Sequence, residues 1–530
     1  MKQIIFLIIL TSIPLMSLFH PGIPATHDGP DHIARIANFY QSLSEGNLVP
    51  RWAGNLNWGY GHPILMFLYP LPSYVASLFH SLSFNIADSM KLVFGSTYIV
   101  SVLAMYLWLK KLVGAWPAAA GALLYGFAPY RFVDLYVRGA VGEHVAFAFA
   151  PLVFYGLSSR RFIVTSLAVF ALILSHNAVS IMFMPLIILY IVYLYWYETK
   201  KSGTFFILAV GAVFFGITLS VFFWFPAYFE GKYTLRDIVT KGEFVNRFVL
   251  FDRFFYSPWS SGGSEELSKE LGIVHWVGAA GALWFLGRVR DKRQHTFIVG
   301  SLAVLAVSLF LMTGQAGYIW EKITLLQKFQ FPWRILSVSV FVSSVLGAFA
   351  YAQIPGKYQK FGMCVAAIAL LLVTRPMWQA NGYIEKPQSY YAGIYDSTTD
   401  TGESSPIWSV RFMEKRFGAS LEVIDGQAHI EQTKRTSTRH EYIVTASRET
   451  RLVENTLYFP GWEVWVEGAR AELQFQDPQY RGLITFSVPD GKHTVVVEFK
   501  DTKVRTAANY LSLIAFAALG VVAIYPIWKK

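Results

Sequence analysis

Charged residues and cysteine are both scarce in this sequence. Only 15% of the 530 residues are Asp, Glu, Lys or Arg, whereas soluble proteins carry about 25%. The single cysteine, Cys364, excludes an internal disulfide and a thiolate metal site, and its apolar surroundings (FGMCVAAIALLLV) predict a packing residue. Hydrophobic residues make up 54% and the mean hydropathy is +0.40, which excludes a wholly soluble or disordered chain. The composition therefore predicts a polytopic α-helical membrane protein.

The motifs of several common enzyme classes are also missing. The sequence contains no Walker loop, no dinucleotide fingerprint, no HExxH, no Cys/His set with zinc spacing and no G-x-S-x-G elbow. Basic residues do not form a nucleic-acid patch, so no nucleic-acid partner is expected. Any chemistry must come from ionisable groups outside these motifs.

Apolar runs predict about twelve spans, the first being an uncleaved helix, or thirteen if 63–82 also crosses. That stretch contains Pro63, Pro70 and Pro72, which predict broken helices. If 63–82 does not cross, the basic turns between the spans and the C-terminal Lys529/Lys530 lie on the same side of the membrane as Lys2. The positive-inside rule favours this arrangement. Both termini are then cytoplasmic, in an integral protein of the cytoplasmic membrane. The predicted spans are 3–19, 92–109, 115–129, 144–157, 162–176, 179–197, 204–226, 271–287, 296–313, 335–352, 361–375 and 506–527.

The predicted layout is a transmembrane domain (1–375), an extracytoplasmic β-rich domain (376–505) and a final helix (506–530). Alternating stretches such as EYIVTAS, GLITFSV and TVVVEF read as strands, and Glu467-Gly468 and Asp490-Gly491 supply turns. They predict a C-terminal antiparallel β-sandwich of about 100 residues. The alternation in GWEVWVEG fits either core packing or carbohydrate binding. The predicted outer segments are 20–91, 130–143, 227–270 with 314–334, and 376–505.

Four ionisable groups open a predicted helix in the first outer loop. They are His27, Asp28, Asp31 and His32, and the helix that follows has apolar residues at helical spacing up to Gly46. One interpretation is N-capping, since Asp at a helix start satisfies free N–H groups. The other is a functional cluster at the membrane surface, where Asp28 and Asp31 act as catalytic groups or ligate a divalent cation such as Mg²⁺ or Mn²⁺.

Further polar residues are predicted on the same outer side as substrate-binding candidates. Arg131 and Arg138 face either an anionic ligand or Asp134, in a helical salt ladder. His176 is either a helix cap or a site residue. Arg334, in KFQFPWR, either grips a phosphate with its planar fork or is a snorkelling residue beside an aromatic-belt anchor. The full set of substrate-binding candidates is His27, His32, Arg131, Arg138, Glu143, His144, His176, Glu230 and Arg334.

An enzyme on the outer side needs an activated donor that is already in the bilayer, and a polyprenyl-phosphate sugar fits. A carboxylate would deprotonate an acceptor hydroxyl, and arginine would hold the departing lipid phosphate. Asp28 or Asp31 and Arg138 or Arg334 supply those residue types.

Several stretches carry a family resemblance over nearly the whole chain: HDGPDHIARI, NLVPRW, LSHN, FPAYFEGKY, KFQFPWR and YFPGWEVWVEG. With them the chain resembles GT-C-type glycosyltransferases and, more closely, the membrane proteins labelled 6-pyruvoyl-tetrahydropterin synthase-related and YfhO-like. The pterin label implies no such activity, because that soluble class needs a three-histidine zinc site. The GT-C resemblance implies that Asp28 or Asp31 is the catalytic loop aspartate. The absence of a D-x-D or D-E motif leaves open which one, and whether a metal takes part.

The leading hypothesis is therefore a glycosyltransferase that moves a sugar from a lipid-linked donor to a glycan, lipid or protein acceptor. Membrane lipids are the other expected partners. Two alternatives are a non-catalytic lipid or glycan transporter and an envelope scaffold. A transporter of the alternating-access kind would show repeated halves, and no repeat is evident.

Overall fold

Long apolar helices dominate the computed structural model, which describes residues 1–262 and 266–524. Within these ranges, eight helices are long and apolar enough to cross a membrane. Helices suit this setting because every backbone N–H and C=O is bonded within the segment. The polytopic helical class is thus confirmed. The eight helices are Lys2–Phe19, Ile86–Val113, Val141–Ser158, Asn177–Glu198, Lys292–Leu311, Pro332–Ala352, Gly356–Met377 and Lys503–Ile524.

The span count is lower than the twelve expected. A ninth candidate is the pair Gly203–Leu219 and Val221–Tyr233, bent by 65°. Three other expected spans are the helices Ala115–Gly126, Phe162–Ser175 and Ile273–Phe285, with 12, 14 and 13 residues. At about 1.5 Å per residue they are shorter than the hydrocarbon core of about 30 Å. Apolar composition alone overestimates crossings because it does not measure where a helix ends.

The proline-rich stretch 63–82 forms two short helices, Ile64–Phe67 and Leu71–Ser81. Pro63 and Pro70 occupy the N-cap positions, so each helix starts where the sequence predicts a break. Neither helix is long enough to span a bilayer.

Short helical segments connect the long ones. Cys364 lies on the helix Gly356–Thr374 and is exposed, so the expected packing role is wrong. The last residues of the expected span 506–527, and Lys529/Lys530, lie outside the described residues. The remaining short segments are Asn57–Gly59, Pro129–Phe132, Val133–Arg138, Arg236–Val239, Phe251–Phe254, Leu286–Arg288, Gly314–Ala316, Gly317–Lys322, Thr324–Gln327, Gln388–Ala392 and Pro478–Tyr480.

The helix Gly29–Ser44 forms where the first loop predicts it, with Pro30 in its first turn. It does not lie open on the membrane surface, because most of its residues are buried. It packs against Leu71–Ser81 on one side and Gln388–Ala392 on another. Residues from the C-terminal part of the chain therefore cover the first loop.

The C-terminal region contains two antiparallel sheets, which confirms the β-rich end. One sheet has the order β3-β6-β10-β9 and the other β4-β5-β11-β7-β8, while β1 and β2 pair separately. Side chains from both sheets share one apolar cluster, as in a sandwich. The strands are β1 Ile23–Pro24, β2 Tyr383–Ile384, β3 Leu421–Asp425, β4 Ala428–Arg435, β5 Arg439–Ala446, β6 Thr450–Leu457, β7 Trp462–Val466, β8 Ala469–Ala471, β9 Leu473–Gln474, β10 Leu483–Val488 and β11 Gly491–Phe499.

The two expected turns differ in kind. Glu467 and Gly468 have φ of 50° and 77°, which makes a two-residue hairpin between β7 and β8. Asp490-Gly491 instead joins β10 to β11, which belong to different sheets. In GWEVWVEG, Trp462 and Val464 are buried in the core, which supports the packing interpretation.

The sandwich contacts the first loop (20–91) directly. Trp52 packs on Trp462 and Phe499, with ring centroids 5.4 and 5.5 Å apart. Ile23 of β1 pairs with Ile384 of β2. These contacts hold the first loop between the helical bundle and the C-terminal region.

Candidate active site

The first loop meets the second loop (130–143) through backbone hydrogen bonds. The N–H groups of His27 and Asp28 donate to the carbonyls of Val137 and Arg138 at 3.0 and 2.9 Å. Gly139 follows with φ of 70°, and a Cβ there would lie 2.4 Å from Thr26 Oγ1. Close approach of the two loops thus depends on glycine at 139.

Glu143 is the centre of a buried ionic cluster and is fully inaccessible to solvent. Its Oε1 accepts from Arg138 Nη2 at 2.8 Å and from Arg334 Nε at 2.7 Å. Its Oε2 accepts from the Tyr130 hydroxyl at 2.7 Å, and His176 Nε2 lies 3.8 Å from Oε1. Residues from three separate parts of the sequence therefore meet at one carboxylate.

The two arginines keep unused donors. Arg138 also donates to Asp134 at 2.6 Å through Nη1, but no described residue accepts from its Nε. Arg334 donates to the Phe329 carbonyl at 2.8 Å through Nη1, and its Nη2 donates to nothing in the described chain. A guanidinium with a free N–H can still bind an anionic oxygen.

Aromatic rings fix both guanidinium groups in place. Arg138 lies over Trp333 at 4.6 Å and Arg334 over Phe331 at 5.1 Å, and the two rings stack 5.1 Å apart. Both aromatic residues come from KFQFPWR. Trp333 is buried, and Arg334 is 8% exposed and paired with Glu143. The belt-anchor and snorkelling interpretation of this motif is therefore wrong.

Asp28 occupies the N-cap position of Gly29–Ser44, but its side chain makes no capping hydrogen bond. The carboxylate is half-buried and accepts from no donor in the part of the chain that the structure describes. The capping interpretation therefore fails for Asp28. Neighbouring His27 is exposed, and its Nε2 pairs with the Ser261 carbonyl at 2.7 Å.

Asp31 lies in the first turn of the same helix and is also half-buried. The Tyr395 hydroxyl donates to its Oδ1 at 3.2 Å. Burial raises the pKa of Asp31, and the nearby Arg35 charge and the Tyr395 hydrogen bond oppose that rise. A carboxylate whose pKa is raised is a stronger base once ionised.

Two histidines join the helix start to the Glu143 cluster. His32 is 6.5 Å from the Tyr69 ring, which lies 4.8 Å from His176. Burial, with the charge of Arg35, lowers the pKa of His32 well below its usual value, so this imidazole is neutral. His176 Nδ1 accepts from the Val179 N–H at 3.2 Å, which confirms its interpretation as a helix cap.

Two candidates from the second loop lie deeper in the bundle. Arg131 is fully buried, and its guanidinium lies 4.3 Å from the Phe147 ring. It forms no ion pair with a described residue, so the expected salt ladder reduces to the Asp134–Arg138 pair. His144 Nε2 pairs with the Phe94 carbonyl at 3.1 Å.

Glu230 belongs to a second cluster. It accepts from Arg505 Nε and Nη2 at 2.8 and 2.7 Å, and from the Thr502 hydroxyl. This pair joins the helix Val221–Glu230 to the last span. Neither Arg505 nor Thr502 contacts a residue of the Glu143 cluster in the described chain.

No group of three or more His, Cys, Asp or Glu side chains in the part of the chain that the structure describes could hold a metal ion. Asp28 and Asp31 supply two carboxylates, and Mg²⁺ is commonly bound by one or two carboxylates together with water and substrate phosphate. A divalent cation bound with the substrate therefore stays a prediction.

Two residues that contact the site did not stand out from the sequence. Tyr130 adjoins Arg131 in APYRF, and only its contact with Glu143 marks it. Tyr395 lies in the region expected to be β-rich, far from Asp31 along the chain. An aromatic hydroxyl carries no local signal of the carboxylate that it contacts.

Fold and site together define a polytopic helical membrane protein with a charged site between two loops and a C-terminal β-sandwich. Residues 65–383 match the family described as "6-pyruvoyl-tetrahydropterin synthase related domain; membrane protein". The chain belongs to this family, as its sequence motifs predict. A Lactococcus lactis subsp. cremoris (strain MG1363) protein named "Uncharacterized protein" is 27% identical over 242 residues, covering 42% of this chain. The chain spans 38% of that relative's length.

The solved structures that the chain matches at low identity include the following three, each with a TM-score below 0.5. Arabinofuranosyltransferase AftD from mycobacteria is 14% identical, with a TM-score of 0.48 over 73% of this chain and 28% of that one. The Archaeoglobus fulgidus oligosaccharyltransferase is 13% identical, with a TM-score of 0.45 over 78% and 60%. ArnT from Cupriavidus metallidurans, bound to undecaprenyl phosphate, is 13% identical, with a TM-score of 0.35 over 73% and 67%.

Proposed function

We propose that this protein is a glycosyltransferase that moves a sugar from a polyprenyl-phosphate-linked donor to an acceptor hydroxyl on the extracytoplasmic face. The observation that carries the proposal is that the loop with two half-buried carboxylates, Asp28 and Asp31, is hydrogen-bonded through its backbone to Arg138, one of two arginines that keep free donors. Asp28 is hydrogen-bonded through its backbone to Arg138, and Arg138 shares Glu143 with Arg334.

The transfer we propose is a single displacement with inversion. The acceptor oxygen forms a bond to the anomeric carbon while the bond from that carbon to the donor phosphate oxygen breaks. The acceptor proton passes to the carboxylate of Asp28 or Asp31. The electron pair leaves on the polyprenyl phosphate.

The arginines would stabilise that leaving phosphate. Arg138 Nε and Arg334 Nη2 have no acceptor among the described residues, and both groups lie in a low-dielectric site where donors act strongly. The cluster pairs two arginines, Arg138 and Arg334, with two carboxylates, Asp134 and Glu143. The leaving phosphate would therefore be held by the N–H groups that these ion pairs do not use.

Each of the two aspartates has one property of a base. Asp28 has a carboxylate without a partner in the described chain, so it is free to accept a proton. Asp31 has a raised pKa, caused first by burial. The two alternatives are separated by substitution.

The test uses purified full-length protein in nanodiscs, a panel of radiolabelled polyprenyl-phosphate monosaccharides and envelope acceptors. We expect Asp28→Asn or Asp31→Asn to reduce transfer by about 10²- to 10⁴-fold, the usual contribution of a positioned base. Both variants should insert and melt like the wild type. Asp425→Asn, an exposed carboxylate on the sandwich, is the matched control.

Full transfer by both variants would refute the assignment. Movement of the labelled lipid across the bilayer without any product would instead support a transporter.

A further inference from the structure

A polar cavity of about 310 Å³ lies beside the candidate base, in the segment 389–397. This volume lies at the lower end of the range of about 300 to 1,000 Å³ for small-molecule sites. Its wall includes Tyr390, Tyr395, Asp396 and Arg416. None of the steps proposed above uses this cavity.

The charged wall of the cavity is rigid and electrically balanced. Arg416 donates to both carboxylate oxygens of Asp396, at 2.8 and 3.1 Å, and its Nη2 also donates to the Ile394 carbonyl at 2.9 Å. Both side chains are about half exposed, at 53% and 51%. Because the two charges neutralise each other, the Asp396–Arg416 pair offers donors and acceptors without a net charge of its own. Lys386 Nζ lies 5.4 Å from the centroid of the Tyr390 ring.

An aromatic wall adjoins the polar one. The Tyr390 side chain is half exposed, and its ring meets that of Tyr395 edge-on at 5.7 Å. The face of an aromatic ring carries the negative side of its quadrupole, which attracts weakly positive C–H groups. Such a wall suits a ligand that has C–H groups on one side and hydroxyls on the other.

Tyr395 links the cavity to the proposed base. Tyr395 is one of the residues that line the cavity, and its hydroxyl donates to Asp31 Oδ1 at 3.2 Å. Its backbone is held on both sides, because its N–H donates to the Asn55 carbonyl at 2.8 Å and its carbonyl accepts from Trp58 N–H at 3.1 Å. A ligand in the cavity would therefore lie one side chain away from Asp31.

We infer that this cavity binds a neutral carbohydrate portion of the acceptor. The inference rests on the proposed function and narrows its acceptor from a glycan, lipid or protein to a molecule that carries a sugar. The Asp396–Arg416 pair adds no net charge, and the combination of an aromatic ring with fixed hydrogen-bonding groups favours a polyhydroxylated ring.

The experiment measures binding of neutral methyl glycosides (glucoside, galactoside, mannoside, rhamnoside and arabinofuranoside) to the full-length protein in nanodiscs. Saturation-transfer difference NMR gives an apparent Kd for each. We expect at least one glycoside to bind, and Tyr390→Ala and Arg416→Gln to weaken it by about tenfold or more. Arg448→Gln, which removes an exposed arginine paired with Asp425, should bind like the wild type.

Asp31→Asn separates this inference from the proposed function. Retained glycoside binding with lost transfer supports both. Binding that depends on Tyr390 and Arg416, without transfer by the wild type, supports the carbohydrate site and refutes the proposed enzyme. Absence of glycoside binding, or binding that neither substitution weakens, overturns the inference even if transfer depends on Asp31.

Discussion

Two buried glutamates organise two ionic clusters of different character. Glu230 pairs with Arg505, whose remaining N–H groups donate to the carbonyls of Lys500 and Pro460. Glu143 pairs with Arg138 and Arg334, and each of these keeps a donor for which no described residue is an acceptor. Each guanidinium nitrogen of Arg505 therefore has an acceptor within the protein, whereas Arg138 and Arg334 each have one nitrogen that can still donate to a ligand.

The difference separates a structural ion pair from a binding site. Burying charges costs free energy unless every charge is paired and hydrogen-bonded. Glu230 and Arg505 meet that condition while joining two helices. In the Glu143 cluster, Asp134 Oδ2 is buried without a partner in the described chain, and no described residue accepts from Arg138 Nε or Arg334 Nη2. These unused donors are the groups that the proposed anionic ligand would bind.

Removal of the central carboxylate gives the largest expected effect. Glu143→Gln and Glu230→Gln should each lower the free energy of unfolding by about 3–5 kcal/mol, because each leaves a buried arginine without its counter-charge. Thermal unfolding in detergent measures this as a lower Tm. Polyprenyl phosphate should then raise the Tm of Glu143→Gln and leave that of Glu230→Gln unchanged. Equal responses would remove the distinction between the clusters.

Exchange of the arginine fork for lysine gives an intermediate effect. Arg334→Lys should raise the KM for the donor by about 10- to 100-fold, equivalent to a charge-assisted hydrogen bond of about 1.5–3 kcal/mol, and lower the Tm little. Arg505→Lys should lower the Tm and leave KM unchanged. Initial-rate kinetics and melting curves on the same preparations check both. A KM effect from Arg505→Lys would contradict the assignment of roles.

A shift in pH dependence is the smallest effect. The Tyr395 hydrogen bond lowers the pKa of Asp31, so Tyr395→Phe should raise it further. If Asp31 is the base, activity is lost as pH falls through its pKa, and the acidic limb moves to higher pH by about half a unit. Tyr391→Phe is the control, because the Tyr391 hydroxyl is buried without a partner in the described chain. An unmoved limb would favour Asp28.

The sequence predicts an element well where the residues at its start or turn themselves favour that backbone conformation. The Pro63 and Pro70 breaks, the Glu467-Gly468 hairpin and the helix after Asp28 all follow from backbone preferences of the residues themselves. The number of spans was overestimated, since helix length depends on packing as well as on composition. The orientation in the membrane remains a prediction.

Charge type and loop position in the sequence place Asp28, Arg138 and Arg334 in one hypothesis. Their joint role in one site stays a prediction. The sequence could not show that Glu143 joins the two arginines, or that Tyr395 reaches Asp31. Those contacts join residues 191 and 364 positions apart.

Composition and periodicity alone determined that this is a helical membrane protein with a β-rich end and acidic residues at the start of its first-loop helix. These properties follow from the preference of each short stretch for hydrocarbon, sheet or helix start. Only the tertiary structure decided which charges are neutralised and which keep free donors. Pairing depends on distances of a few ångströms between distant segments, and only the packed chain sets them.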